Sequence, residues 1–221
     1  MKSRKRRDPS PRARRLGRAY GLPGRETILG AARRCLIRLG HARFSTRVVA
    51  TEAGVNQSLI HYYFGTKDRL ILAVLAEMSR ELLARQVAMY GTHGDFAEKW
   101  IEACRFFSED LRSGWVRLLM EMSALGVANP AVGAEVRRIT APWRALVQRV
   151  VGEALAHFGL TAVSAPEVTA FLVCFWRGME LDIMLGVPED EGHHWRTLEA
   201  FERFLRWLEA ERAAGRPATL L

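Results

Sequence analysis

The 221-residue sequence has only three cysteines, Cys35, Cys104 and Cys174, without paired or metal-like spacing. They read as small buried hydrophobes in a reducing compartment, with redox sensing as the alternative. No apolar run approaches the roughly 18 residues that span a bilayer, and no apolar signal segment follows the basic N-terminus. A cytoplasmic protein without a membrane partner is therefore expected. Strand-like alternation is scarce, and Asn-Gly and Asp-Gly hairpin signals are missing. The chain also lacks a glycine-rich phosphate loop, zinc-type spacing and a nucleophile with evident partners, so neither an enzyme nor a cofactor is expected. The adjacent pair His193-His194 would point in different directions on a helix, and no metal site is assigned to it.

What is present is apolar material, 49% of the residues, and a net charge of +9 that is unevenly placed. Residues 1–18 carry nine Lys or Arg (Lys2, Arg4, Lys5, Arg6, Arg7, Arg12, Arg14, Arg15, Arg18) against the single acid Asp8. Residues 1–23 read as a basic, disordered arm that is either merely solvated or tracks DNA phosphates. After Pro23-Gly24 nearly everything has helical periodicity, which makes the chain all-α with about nine helices. The first runs from about Arg25 to Leu39 and stops at Gly40; the second opens at Ser45-Thr46 and ends at Gly54. A third covers about Gln57 to Tyr63, and a long fourth follows Gly65-Thr66. Farther on, Asp95 with Glu98, Asn129-Pro130, and Ser164 with Glu167 are helix starts. Ser113-Gly114 and Pro188 are stops, and Pro142 is expected to kink its helix. The last helix spans about His193 to Arg212.

The stretch from Ser45 to Phe64 carries the function. Two short helices crossing at a steep angle need a small residue at their contact, which Ala50 supplies. They also need a turn residue that tolerates positive φ, which Gly54 supplies. Val49, Ala53, Val55 and Ile60 would form the shared core of this helix-turn-helix. On the second short helix Gln57, Ser58, His61 and Tyr62 fall on one outward sector, polar where a buried helix would be apolar. Gln can pair with an adenine edge, Ser adapts to either base, and Tyr or His reaches phosphate or a thymine methyl. Arg47 opposes the dipole in the first turn of its helix, which is reasonable where a phosphate sits. Thr46 either donates to that phosphate or caps the helix, and Lys67 is placed for a second backbone contact.

With these residues in view, the run from Arg25 to about Leu75 resembles the DNA-binding domain of the TetR family of bacterial regulators. The matching residues are Ile28-Leu-Gly-Ala-Ala32, Ser45-Thr-Arg47, Ala50, Glu52-Ala-Gly-Val55, Leu59-Ile-His-Tyr-Tyr-Phe64, Lys67 and Leu70. The resemblance implies an all-helical homodimer on a palindromic double-stranded operator, with helix 3 in the major groove. It also implies DNA contacts at Thr46, Arg47, Gln57, Ser58, His61, Tyr62, Tyr63 and Lys67. Repression, released by an effector, comes from the same analogy. The expected division is residues 24–72 for DNA binding and residues 73–221 for effector binding and dimerisation.

In the C-terminal half, Trp100, Phe107, Trp115, Met120, Trp143, Phe175 and Met179 are the candidates for a pocket taking a small apolar or amphipathic effector. Glu121, Glu180 and Asp182 lie within apolar helices; one facing inward would favour a cationic ligand. Phe171, Phe175, Ile183, Leu198, Phe201 and Leu205, on two late helices with broad apolar stripes, are the candidates for a two-fold interface. Two other readings stand beside this one: a DNA-binding protein that senses no small molecule, and a helical carrier or enzyme with an incidental helix-turn-helix.

Overall fold

The computed structural model describes residues 24–91 and 94–215. Ten helices and no strand occur among them: α1 (Arg25–Arg43), α2 (Thr46–Ala53), α3 (Gln57–Phe64), α4 (Lys67–Tyr90), α5 (Phe96–Ser113), α6 (Trp115–Ala128), α7 (Pro130–Phe158), α8 (Ala165–Leu185), α9 (Glu189–Gly192) and α10 (His194–Ala213). The tenth is the single turn α9, too short for a periodicity argument to detect. The reading of the basic arm lies outside the described residues. No helix among them is long and apolar enough to cross a membrane.

Local chemistry sets most of the boundaries. Gly40 takes φ 68, ψ 174 and breaks the helical geometry of α1, after which one further turn runs to Arg43. Ser45 caps α2 by accepting from the Val48 N–H, and Gly54 closes it at φ 65. Asp95 with Glu98, and Ser164 with Glu167, form reciprocal capping boxes at α5 and α8. Asn129 caps α7 ahead of Pro130. Pro142 lies inside α7, which continues through it as one 29-residue helix.

The chain divides into two compact units, the first ending at Val74 and the second beginning at Leu75. In the first, Ile28, Ala31, Ala32 and Cys35 on α1 are fully buried, together with Val49 of α2. Burying Ile60 of α3 in addition contributes about 1.5–3 kcal/mol. Glu52 of α2 accepts from both Arg34 and Arg38, which lie one turn apart on α1, at 2.9 and 3.2 Å. Those guanidinium hydrogen bonds hold the Glu52 carboxyl below its usual range.

In the second unit α6 packs on α7, α7 on α8, and α5 on α10. One buried cluster joins Ala97, Phe158, Leu205 and Leu208; another joins Phe107, Met179 and Leu198. Leu198 and Leu205 therefore belong to this chain's own core and have no side chain left for a partner. Phe175 and Ile183 pack against the second cluster, and Phe201 against the first. Of the six interface candidates only Phe171, at 70% exposure, lies open on the surface.

Candidate nucleic-acid interface and internal cavity

The turn between α2 and α3 places Thr46 and Gln57 side by side. The Gln57 Nε2 amide donates to Thr46 Oγ1 at 2.7 Å and lies 3.5 Å from His61 Nε2. The second contact is weak at that length. The Gly65 carbonyl can only accept, so at 2.9 Å from His61 Nδ1 it fixes the proton on that nitrogen and leaves Nε2 to accept from Gln57. Thr46 is thus not the cap of α2, a role Ser45 fills; its hydroxyl joins the start of one helix to the start of the next. Asn56, which the sequence reading did not single out, caps α3: its Oδ1 accepts from the Ser58 N–H at 2.9 Å and from Ser58 Oγ at 3.0 Å. An Asn just before a helix start is the signal that could have found it.

Arg47, Gln57, Ser58, His61 and Tyr62 are exposed, and Thr46 and Tyr63 are half-buried. Tyr62 is 54% exposed and meets Tyr63 edge to face, ring centres 5.3 Å apart. Its hydroxyl is carried at the end of a rigid, half-supported ring. Lys67, expected to contact a DNA phosphate, is half-buried, and its Nζ donates to the His41 carbonyl at 3.0 Å, tying α4 to the chain just after the Gly40 break. An ammonium has three hydrogens, so this bond leaves two for any other acceptor.

The second unit contains a partly open cavity of about 310 Å³, at the small end of ligand-sized pockets. Six helices line it, with Leu82 and Tyr90 from α4, Trp100 and Phe107 from α5, Trp115 from α6, Trp143 from α7, Trp176 from α8 and Phe204 from α10. Trp100, Phe107, Trp115 and Trp143 are therefore brought together as expected. Met120, Phe175 and Met179 are not among the lining residues. Met120 is half-buried elsewhere on α6, and Phe175 and Met179 belong to the cluster around Phe107 and Leu198. Trp176 takes their place, stacked on Phe107 at 5.1 Å and 5.4 Å from Trp100.

Among the acids weighed from sequence, Glu180 faces the cavity and is 7% exposed; Asp182 is exposed, and Glu121 is half-buried away from the lining. Burial pushes the Glu180 carboxyl up to about 7, and nearby Asp110 adds to this against the pull of Arg177. Asp110, also at the cavity, is pushed up to about 6 by burial despite its 2.5 Å contact with Arg85. Because the folded-state value of Glu180 lies above its unfolded one, its stabilising contribution is complete below about pH 4.5 and is lost as pH rises through about 7. Glu180→Gln, which carries no charge at any pH, should therefore match the wild type near pH 5 and exceed its stability at pH 8 by on the order of 1–3 kcal/mol. Urea denaturation across that range checks this; a difference independent of pH would contradict it.

The three cysteines form no disulfide with one another: Cys35 is buried, Cys104 half-buried and Cys174 exposed. Burial raises the Cys104 thiol to about 12, which disfavours the reactive thiolate. His193 is exposed while His194 is buried, 3.6 Å from Asp182 and 3.8 Å from Glu189. No group of three or more His, Cys, Asp or Glu that could hold a metal ion occurs among the described residues.

Residues 28–74 match the family profile "Bacterial regulatory proteins, tetR family". The HTH-type transcriptional regulator BetI of Brucella anthropi is 41% identical over 58 residues, covering 26% of this chain. The match spans only 30% of that protein's length. Similarity in structure extends farther. A TetR transcription regulator of Haloarcula marismortui superposes with a TM-score of 0.64 at 21% identity, over 81% of this chain and 94% of that one. The multidrug binding protein EbrR, solved with imidazole, is 30% identical with a TM-score of 0.54, over 80% of this chain and 88% of its own.

Proposed function

The chain belongs to the TetR family of bacterial regulatory proteins, and we propose that it is a sequence-specific transcriptional regulator whose DNA affinity is set by a small molecule in the second unit. The observation that carries this reading is the exposed edge of α3, where Gln57, Ser58, His61 and Tyr62 stand outward with Arg47 nearby in sequence at the start of α2. Bases are read from Gln57 and Tyr62, and phosphates are held by Arg47, Thr46 and the remaining hydrogens of Lys67.

An aromatic cavity supports the effector half of the reading, as does the similarity to EbrR, a multidrug binding protein. Helix α4 contributes Lys67 to the first unit and Leu82, Gln86 and Tyr90 to the cavity. It is the covalent route by which occupancy would act on DNA binding, to the extent that the effector prefers one state of the protein. Release of repression, as opposed to activation, rests on the family analogy.

Pairing into a homodimer on a palindromic operator is supported by a seam on α8. Phe171, Cys174, Gly178, Leu181 and Leu185 are all exposed and recur at alternating spacings of three and four residues, with Phe171 and Leu185 at 70% and 72%. That seam replaces the core residues Leu198 and Leu205 as the surface for a second copy.

The test is selection of duplexes from a random pool by the full chain, followed by titration between 50 and 200 mM salt. Enrichment of a palindromic sequence is expected, with log affinity falling linearly in log salt. Absence of any enriched sequence would overturn the reading.

A further inference from the structure

We propose that the cavity is built for an organic cation with an apolar body, paired with Glu180 and packed on the rings of Trp176, Trp100 and Phe107. This rests on reading the cavity as the effector site and names the chemistry of what enters it. Glu180 follows Trp176 by four residues on α8, so the carboxyl and the indole occupy one face of one helix, both lining the cavity. The Glu180 side chain is 9% exposed, and its Oε2 is buried without a hydrogen-bond partner among the described residues. Arg177 Nε lies 3.8 Å from that oxygen, outside hydrogen-bond reach. A buried polar oxygen without a hydrogen-bond donor is costly to the protein, and a ligand cation seated closer to it than the Arg177 guanidinium offsets that cost.

Arg177, also at the cavity, is paired at 3.8 Å with Glu180 itself, and the remaining charged groups there are engaged elsewhere. Asp110 is paired with Arg85, which also holds Glu109, and Lys99 lies 5.1 Å over the Phe96 ring. Glu180 is thus the carboxyl with an oxygen to offer. An anion would meet the carboxyls of Glu180 and Asp110, while the two cations lining the cavity, Arg177 and Lys99, are already drawn to Glu180 and to the Phe96 ring. A cation finds a counter-charge and, from Trp176, Trp100 and Phe107, electron-rich faces that attract it further. Burial favours the protonated form of Glu180, so a cation must displace a proton at lower pH.

The probes are benzyltrimethylammonium, its uncharged isostere neopentylbenzene, and the anion phenylacetate, each titrated calorimetrically against the full chain and Glu180→Gln. The wild type should bind the ammonium at least tenfold more tightly than neopentylbenzene and should not bind phenylacetate measurably. Ammonium affinity should rise about tenfold per unit between pH 5 and 6.5, then level off. In Glu180→Gln the ammonium should lose at least tenfold and its pH slope, while neopentylbenzene is unchanged; Asp110 and Arg85 remain in both proteins, so only the lost slope belongs to Glu180. Equal affinity for ammonium and isostere, or an ammonium affinity that survives Glu180→Gln, overturns the cation while leaving the cavity a ligand site. Failure of all three probes to bind the wild type overturns both readings.

Discussion

Gln57→Ala should weaken binding to the selected operator by about 1–3 kcal/mol and relax preference at one base pair, and Tyr62→Ala should do the same at another. The two losses have different internal controls. Gln57 already spends amide hydrogens inside the protein, on Thr46 Oγ1 at 2.7 Å and more weakly on His61. Its removal therefore loosens the joint between α2 and α3 as well as the contact to a base. Thr46→Ala removes the same joint and leaves the amide in place, so it should weaken all duplexes alike. Tyr62 has no such internal polar bond among the described residues; its edge contact with Tyr63 is the only ring support shown. Fluorescence anisotropy with the operator and single-base variants of it separates these cases. Unchanged affinity and unchanged preference in both Gln57→Ala and Tyr62→Ala would remove α3 as the reading helix.

Helix boundaries and the exposed face of α3 were legible because both are local problems. A cap needs only an acceptor and an N–H three residues on, which is why Ser45, Asp95, Asn129 and Ser164 are identifiable from neighbours alone. Likewise, 100° per residue puts Gln57, Ser58, His61 and Tyr62 on one sector whatever the rest of the chain does. The lining of the cavity is a different kind of problem. Helix α8 is apolar on most sides, and the structure uses each side differently: Trp176 and Glu180 toward the cavity, Met179 in the core, Phe171 and Leu185 in solvent. Periodicity reports that such a helix has no polar face; it cannot report how the helix is rotated against its neighbours. For the same reason Leu198 and Leu205, on a stripe that fits an interface equally well, turned out to be core. The Lys67 bond to the His41 carbonyl was not legible because that acceptor lies 26 residues away, just past the break at Gly40.

The largest expected effect on folding comes from a contact with no side chain in it. Near the end of α6 and the start of α7, a Cβ built on Gly126 would sit 2.8 Å from the Gly133 Cα and 3.1 Å from its nitrogen; one built on Gly133 would sit 2.8 Å from the Gly126 carbonyl oxygen. Both obstacles are backbone, in helices held together by the short Asn129-Pro130 connection, so neither can swing aside as the end of a long side chain would. Neither glycine has positive φ, and the requirement is therefore for space and not for left-handed geometry. Gly133→Val should cost about 1–3 kcal/mol or more by forcing the two helices apart. In the same helix, Gly152 meets nothing nearer than the Ala165 Cβ at 3.7 Å. Gly152→Ala should instead gain roughly 0.5–1 kcal/mol, because alanine loses less backbone freedom on entering a helix. Urea denaturation of the two variants should thus move in opposite directions, and a Gly133→Val protein as stable as the wild type would show that the close approach is not required. Separating α6 from α7 should also be felt at the ligand, because Trp115 and Leu119 of α6 and Trp143 and Val147 of α7 all belong to the cavity wall. Any Gly133 variant that still folds should therefore bind its small-molecule probes more weakly than the wild type does.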